Sequence, residues 1–105
     1  MQIVETSVFT SLISDLMDGE SYRMLQFEMI ADPEKGSVIP GSGGLRKLRW
    51  KLEGRGKRGG IRIIYYWAVS RGKIVMLYAF PKNVQDDLSI EQLKIPRKMV
   101  ESGFK

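Results

Sequence analysis

The sequence has 105 residues, contains neither histidine nor cysteine, and carries 17 Lys and Arg against 12 Asp and Glu, a formal net charge of +5. Without these two residue types the chain can form no disulfide, no zinc finger and no Ser-His-Asp or Cys-His catalytic arrangement. If the protein is an enzyme, its acid and base must therefore come from Lys, Arg, Tyr, Asp or Glu.

The length and composition predict one domain spanning residues 1–105. A chain of this size normally builds a single core, and 43% apolar residues are enough to fill it. The longest uncharged apolar stretch, residues 74–81, is far shorter than the roughly 20 residues of a membrane-spanning helix. Glu5 stands where a signal peptide would carry positive charge. We therefore expect a cytoplasmic protein with no membrane association.

The first third of the chain is predicted to form a helical hairpin behind a short apolar stretch, residues 2–4, that forms an edge strand or an extended lead-in. Thr6 and Asp18 are predicted N-caps, since apolar residues recur at helical spacing behind each of them. Pro33 ends the second helix. The apolar stripe predicted to lie in the core consists of Phe9, Leu12, Leu16, Tyr22, Leu25 and Met29.

Three strands are predicted in the second half, over residues 45–52, 61–68 and 74–80. Residues 53–60, reading EGRGKRGG, are predicted to form a flexible basic hairpin loop, and a tight turn at residues 70–73 joins the last two strands. Because short connections join antiparallel neighbours, the three strands should form a meander.

The C-terminal region is predicted to form a short helix. Ser89 can act as its N-cap, while Pro96 stands where it would break or kink the helix. The expected fold class is α+β, with the helical hairpin packed on one face of a small antiparallel sheet and the other face partly free.

Strand alternation assigns the side chains of the predicted sheet to its two faces. Those predicted to lie on the core face are Leu48, Trp50, Tyr65 and Trp67. Those predicted to lie on the opposite face are Lys47, Arg49, Arg62 and Tyr66.

The net charge is concentrated in the middle of the chain. Residues 1–44 have a balance of −5, residues 45–73 contain ten basic residues and one acid, and the remainder is close to neutral. Such a cluster attracts polyanions, and the aromatic residues interleaved with it, among them Tyr66, could stack on bases. The alternative is a solvated basic face without a ligand.

The cations of the middle segment and the turn after the third strand could converge on one phosphodiester, because neighbouring strands lie about 4.8 Å apart and alternate residues about 7 Å apart. That arrangement suits RNA cleavage, in which the ribose 2′-OH attacks the adjacent phosphorus. A lysine can act as the base when neighbouring cations lower its pKa, and arginine can clamp the phosphoryl oxygens. No metal or other cofactor is predicted, and Asp86 and Asp87 are interpreted as solvated loop acids.

The run GSGGLRKLRWKLEGRGKRGGIRIIYYW, followed by PKN, DDLS and EQLK, resembles the RelE/HigB toxin superfamily of bacterial type II toxin–antitoxin systems, closest to its HigB-like branch. The resemblance implies a RelE-like fold and a ribonuclease that enters the ribosomal A site and cuts translated mRNA. It also implies a cognate antitoxin of the HigA-like helix-turn-helix type, which neutralises the toxin and through which the complex binds operator DNA. Partners are thus the antitoxin, the 70S ribosome and mRNA.

The resemblance and the charge pattern together give a set of candidate site residues. The candidate catalytic residues are Lys47, Arg49, Lys57, Arg62 and Lys82. The candidate RNA-binding residues are Arg46, Arg55, Arg58, Tyr66, Tyr78 and Asn83. A nuclease built from these groups should show no titration near the histidine pKa of about 6.5.

Two other functions remain open from the sequence. One is a non-catalytic inhibitor of the same fold, as ParE-like relatives resemble RelE yet act on DNA gyrase. The other is a basic RNA-binding module without toxicity.

Overall fold

The computed structural model describes residues 1–51, 60–82, 85 and 87–103. Its elements in chain order are β1 (Gln2–Glu5), α1 (Ser7–Leu16), α2 (Gly19–Ala31), β2 (Ser37–Val38), β3 (Arg46–Trp50), β4 (Ile61–Ala68), β5 (Lys73–Pro81) and α3 (Ile90–Gly103). A 3₁₀ turn over Val69–Arg71 joins β4 to β5. The predicted α+β class is confirmed. Within the described ranges, no helix combines the length and the apolar character needed to cross a membrane.

The helical hairpin begins at the predicted caps. The Thr6 hydroxyl accepts a hydrogen bond from the Phe9 N–H at 3.2 Å, and the Asp18 carboxylate accepts one at 2.8 Å from the backbone N–H three residues further on. Each cap satisfies an N–H that has no partner inside its helix. The two helices contact through the rings of Phe9 and Tyr22, whose centroids lie 6.0 Å apart.

The sheet has five strands in the order β1-β5-β4-β3-β2. β3, β4 and β5 form the predicted antiparallel meander, while β1 pairs parallel to β5 at one edge and the two-residue β2 pairs with β3 at the other. The sheet is therefore mixed. Ile64 pairs with Tyr78 but Tyr65 pairs with Met76, so Leu77 is an extra residue in β5. This bulge turns Leu77 and Tyr78 toward the same face.

Each face of the sheet carries its own apolar core. The core under α1 and α2 includes Phe9, Leu25, Leu48, Ile63 and Tyr65. The core on the opposite face includes Leu45, Ile64, Val75, Phe80 and Val100, the last of which belongs to α3. The face expected to be partly free is thus partly covered by the C-terminal helix.

α3 runs through Pro96 without a break for 14 residues, so the predicted short or fragmented helix is wrong. Ser89 and Gln92 form a reciprocal capping box, with the Ser89 N–H donating to Gln92 Oε1 at 2.9 Å and the Gln92 N–H donating to Ser89 Oγ at 3.2 Å. Pro96 and Val100 are buried. Their burial against the sheet offsets the roughly 3 kcal/mol that an interior proline costs a helix.

Candidate nucleic-acid interface

Three of the predicted cations lie together on the sheet face away from the helical hairpin. Arg49 of β3 is directly opposite Arg62 of β4, and Lys47 is opposite Ile64. Directly opposite side chains have Cβ atoms about 5 Å apart, and alternate residues along a strand lie about 7 Å apart. Lys47, Arg49 and Arg62 are therefore close enough to act on one phosphodiester. We call these three residues the cationic cluster.

The three cations differ in depth. Arg49 is exposed, the Lys47 side chain is 14% exposed, and Arg62 is only 4% exposed. Arg62 Nη1 lies 3.5 Å from the Ile61 carbonyl oxygen. Since arginine stays charged at physiological pH, Arg62 holds a positive charge at the floor of the cluster while Arg49 presents one to solvent.

Lys82 extends the cationic surface beyond the end of β5. Its backbone N–H donates to the Gly60 carbonyl at 3.1 Å, which continues the pairing of β5 with β4. Lys82 is exposed and follows by two residues Phe80, the cross-strand partner of Arg62. It therefore lies at the same end of the sheet as Arg49 and Arg62.

The Lys47 ammonium pairs with the Asp87 carboxylate, a contact that the sequence interpretation of Asp87 as a solvated acid missed. Asp87 remains 71% exposed. The Gln85 side chain links Asp87 to α3, because its Nε2 donates to the Asp87 carbonyl at 2.9 Å and to Gln92 Oε1 at 3.0 Å. The carboxylate thus occupies a position beside Lys47 that a phosphate oxygen could take.

A groove of about 470 Å³ runs along the outer side of β3 next to the cationic cluster. Lys47 and Arg49 line it together with Lys35, Ser37 and Asp87. Lys35 was not among the predicted site residues, since it belongs to the acidic N-terminal third of the sequence. In the structure its ammonium pairs with the Glu28 carboxylate at 3.0 Å. Only the pairing of β2 with β3 brings it to this groove.

Tyr65 supports the segment that carries Lys35. Its hydroxyl donates to the Pro33 carbonyl at 2.7 Å and accepts from the Gly36 N–H at 2.9 Å. Burial raises the pKa of Tyr65 above its ordinary value of about 10. The prediction that Tyr65 lies in the core is confirmed, and its hydroxyl fixes the backbone leading into β2.

The other candidate residues are placed differently. Arg46 lies on the hairpin face, where its Nη1 donates to the Gly36 carbonyl at 2.8 Å. Tyr66 packs into the core on the α3 side, four residues or about 13 Å along β4 from Arg62. Tyr78 of β5 is opposite Ile64 on the α3-side face. Its neighbour on that face is Phe80, which is the cross-strand partner of Arg62. The candidates Arg55, Lys57, Arg58 and Asn83 lie outside the described residues.

The arrangement offers mainly cationic groups, with the Asp87 carboxylate beside them. Across the described part of the chain, no three His, Cys, Asp or Glu side chains come close enough together to hold a metal ion. The chemistry that the site supports directly is phosphate binding and stabilisation of developing negative charge.

A comparison with protein families agrees with this arrangement. The family model of the RelE toxin of the RelE/RelB toxin–antitoxin system matches residues 27–105. This range includes the cationic cluster, α3 and every strand of the sheet except β1. The match covers most of the chain, and the α+β fold is that of a RelE-like protein. The chain therefore belongs to the RelE toxin family.

Proposed function

We propose that this RelE-family toxin is a metal-independent endoribonuclease that cleaves mRNA in the ribosomal A site. The observation that carries the proposal is the direct pairing of Arg49 with Arg62 beside Lys47, at the end of the sheet that also presents Lys82. The family supports a toxin that acts on translation, and the cationic cluster supports a phosphodiester substrate.

In the proposed reaction the ribose 2′ oxygen attacks the adjacent phosphorus, the bond to the 5′ oxygen breaks, and a 2′,3′-cyclic phosphate forms. One proton leaves the 2′-OH and one reaches the departing 5′ oxygen. Exposed Arg49 and Lys82 bind the phosphoryl oxygens, and Arg62 stabilises the extra negative charge of the transition state from below. Proton transfer falls to the lysines Lys47, Lys57 and Lys82, since the chain has no histidine.

The ribosome supplies what this set of residues lacks. Lysines and arginines are weak proton-transfer groups at neutral pH, so the rate should depend on how well the RNA is held in line for attack. We therefore propose that efficient cleavage requires mRNA positioned on the 70S ribosome. By the same proposal, the toxin belongs to the HigB-like branch, and a HigA-like antitoxin neutralises it and carries the complex to operator DNA.

Arg62 gives the most direct test of the nuclease proposal. Expression of the protein should arrest growth and leave mRNAs cut inside codons, as mapped by primer extension, and Arg62→Ala should abolish both effects. We expect at least about 100-fold slower cleavage, the loss typical of removing one preorganised charge-stabilising group. Arg62→Lys keeps the charge and should retain part of the activity. Arg71→Ala, at the exposed turn that closes the opposite end of β4, is the control.

The outcome also separates the alternatives. Full toxicity of Arg62→Ala with intact mRNA would show a non-catalytic inhibitor of another target such as DNA gyrase. RNA binding without growth arrest by the wild-type protein would show an RNA-binding module. Thermal unfolding of each variant checks that a loss of activity is not a loss of folding.

A further inference from the structure

The solvent side of α2 carries large apolar side chains. Phe27 is 67% exposed, Met24 57% and Ile30 42%, while Leu25 and Met29 on the other side of the same helix are fully buried. A surface helix normally shows polar residues on its outer side. Packing within the chain therefore explains the buried apolar residues Leu25 and Met29, but not the exposed apolar residues Met24, Phe27 and Ile30.

Two grooves flank these exposed side chains. One of about 380 Å³ lies between α2 and the N-terminal residues and is lined by Met1, Ile3, Phe27 and Ile30. The other, of about 390 Å³, lies beside Met24. We call Met24, Phe27, Ile30 and these two grooves the α2 outer surface. Contiguous apolar surfaces of this kind mark interaction sites.

The charges around the α2 outer surface indicate the chemistry of its partner. Residues 18–35 contain five acidic and two basic side chains. The groove beside Met24 is lined by three acids and one cation, Asp18, Glu20, Glu28 and Lys51. Arg23 lines the other groove. An apolar segment flanked by Lys or Arg complements such a surface. Nucleic acid and anionic membranes would be repelled, and a second copy of this chain would bring the same acidic helix against itself.

The position of the second groove connects this surface with the cationic cluster. Trp50 and Lys51 close the groove beside Met24, and Trp50 is the last residue of β3, directly after Arg49. A polypeptide bound on α2 could extend along this groove. It would then reach the edge of β3, the strand that carries Arg49 and Lys47.

We infer that the α2 outer surface is the docking site for an amphipathic, basic segment of the antitoxin. The inference rests on the toxin–antitoxin part of the proposed function and not on the nuclease activity. The apolar side chains of the segment pack on Phe27, Met24 and Ile30. Its basic side chains pair with Glu20 and, in competition with Lys35, with Glu28. The partner chain then continues past Trp50 toward the cationic cluster, where an acidic part would block phosphate entry.

The test is a binding measurement with the purified antitoxin encoded beside the toxin gene. Phe27→Glu should weaken binding about 30-fold or more, as expected for a central aromatic anchor. Val69→Glu is the matched control, because Val69 is 65% exposed on the 3₁₀ turn between β4 and β5, and it should bind like the wild type. Glu28→Lys should also weaken binding and reduce its salt dependence. Circular dichroism and thermal unfolding confirm that each variant is folded.

Three results would overturn the inference. They are equal affinity of Phe27→Glu and Val69→Glu for the antitoxin, failure of the wild-type protein to bind the antitoxin, and a wild-type homodimer that Phe27→Glu converts to monomer. The assay contains no RNA, so its outcome is independent of the nuclease proposal. A protein that binds the antitoxin through Phe27 but cleaves no mRNA would disprove the nuclease function alone.

Discussion

The ion pair between Lys47 and Asp87 sets the charge available to RNA at the proposed site. The Asp87 carboxylate is mostly exposed, so the pair contributes little to stability, about 1 kcal/mol or less. It does, however, cancel one positive charge where a phosphate would bind. Asp87→Asn should therefore tighten RNA binding about three- to tenfold at low salt and lower the unfolding temperature by no more than about 5 °C. Titration of labelled RNA with purified protein measures this change.

A matched carboxylate variant separates a local effect from a change in net charge. Glu101 of α3 is half-exposed and pairs with Arg97 at 3.0 Å, so Glu101→Gln alters the total charge equally. We expect it to leave RNA affinity close to that of the wild type. A fall in RNA affinity or cleavage rate for Asp87→Asn would contradict the prediction and would make Asp87 a group that positions Lys47.

The composition of the cationic cluster was predictable from the sequence, but its depth was not. Alternation with a period of two places Lys47 and Arg49 on one face of β3, and the register that pairs Arg49 with Arg62 puts Arg62 on the same face. The pairing of Asp87 with Lys47 joins residues 40 positions apart, and the burial of Arg62 likewise depends on packing beyond its own strand. Long-range packing of that kind leaves no periodic signal in the sequence.

At the level of elements, the short β2 follows a glycine, Gly36, at which any larger residue would be crowded. A Cβ at Gly36 would lie 2.7 Å from Tyr65 Cε1 and 3.0 Å from the Lys47 carbonyl oxygen. Tyr65 is fully buried and cannot move aside. Gly36→Ala should therefore reduce the free energy of unfolding by about 2–3 kcal/mol, the range for overpacking, and detach β2 from β3. Urea unfolding measures the loss.

Gly19 is the natural control for that substitution. It is the first residue of α2, and a Cβ there would meet nothing within 4 Å. Gly19→Ala should be neutral or stabilise the protein by up to about 1 kcal/mol, since alanine is the better helix former and restricts the unfolded chain. If Gly36→Ala proved as stable as Gly19→Ala, the close packing of Gly36 on Tyr65 would not be a constraint on the fold.

The elements themselves were largely predictable because each carries a local signal. Thr6, Asp18 and Ser89 identify three helix starts through capping chemistry, and alternation identifies the meander. Several features were not predicted, among them β2, whose two residues are too few to show alternation. Two more have a clear physical reason. The parallel pairing of β1 with β5 joins residues about 70 positions apart, and the continuity of α3 through Pro96 comes from burial against the sheet, which overrides the local preference of proline.

For the whole molecule, the fold separates the two charged parts of the chain. The acidic residues 1–44 contribute the hairpin on one face of the sheet, and the basic residues 45–73 contribute β3 and β4. Lys47, Arg49 and Arg62 lie on the other face, while Arg46 lies on the hairpin face. By the two proposals above, RNA binds on the face of the cationic cluster and the basic antitoxin segment binds on the hairpin side.

The same architecture predicts how stability depends on pH at the alkaline end. The Tyr22 hydroxyl of α2 donates to the Glu5 carboxylate of β1 at 2.6 Å, and Tyr65 lies in the core under the hairpin. Burial raises the pKa of both tyrosines, and for Tyr22 the hydrogen bond to Glu5 raises it further. The hydrogen bond of Tyr22 joins the first strand to the second helix, so its loss would loosen the hairpin on the sheet.

Below pH 10 both tyrosines are protonated in the folded and the unfolded chain, and their contribution to stability is constant. As the pH rises through about 10, the unfolded chain releases these protons while the folded protein keeps them, so the free energy of unfolding falls. The fall approaches about 1.4 kcal/mol per pH unit for each tyrosine. Tyr22→Phe should be less stable than the wild type at pH 8 yet lose less stability between pH 9 and 11. Urea unfolding across this range tests the prediction, and equal slopes for Tyr22→Phe and the wild type would show that the Tyr22–Glu5 contact does not couple proton release to unfolding.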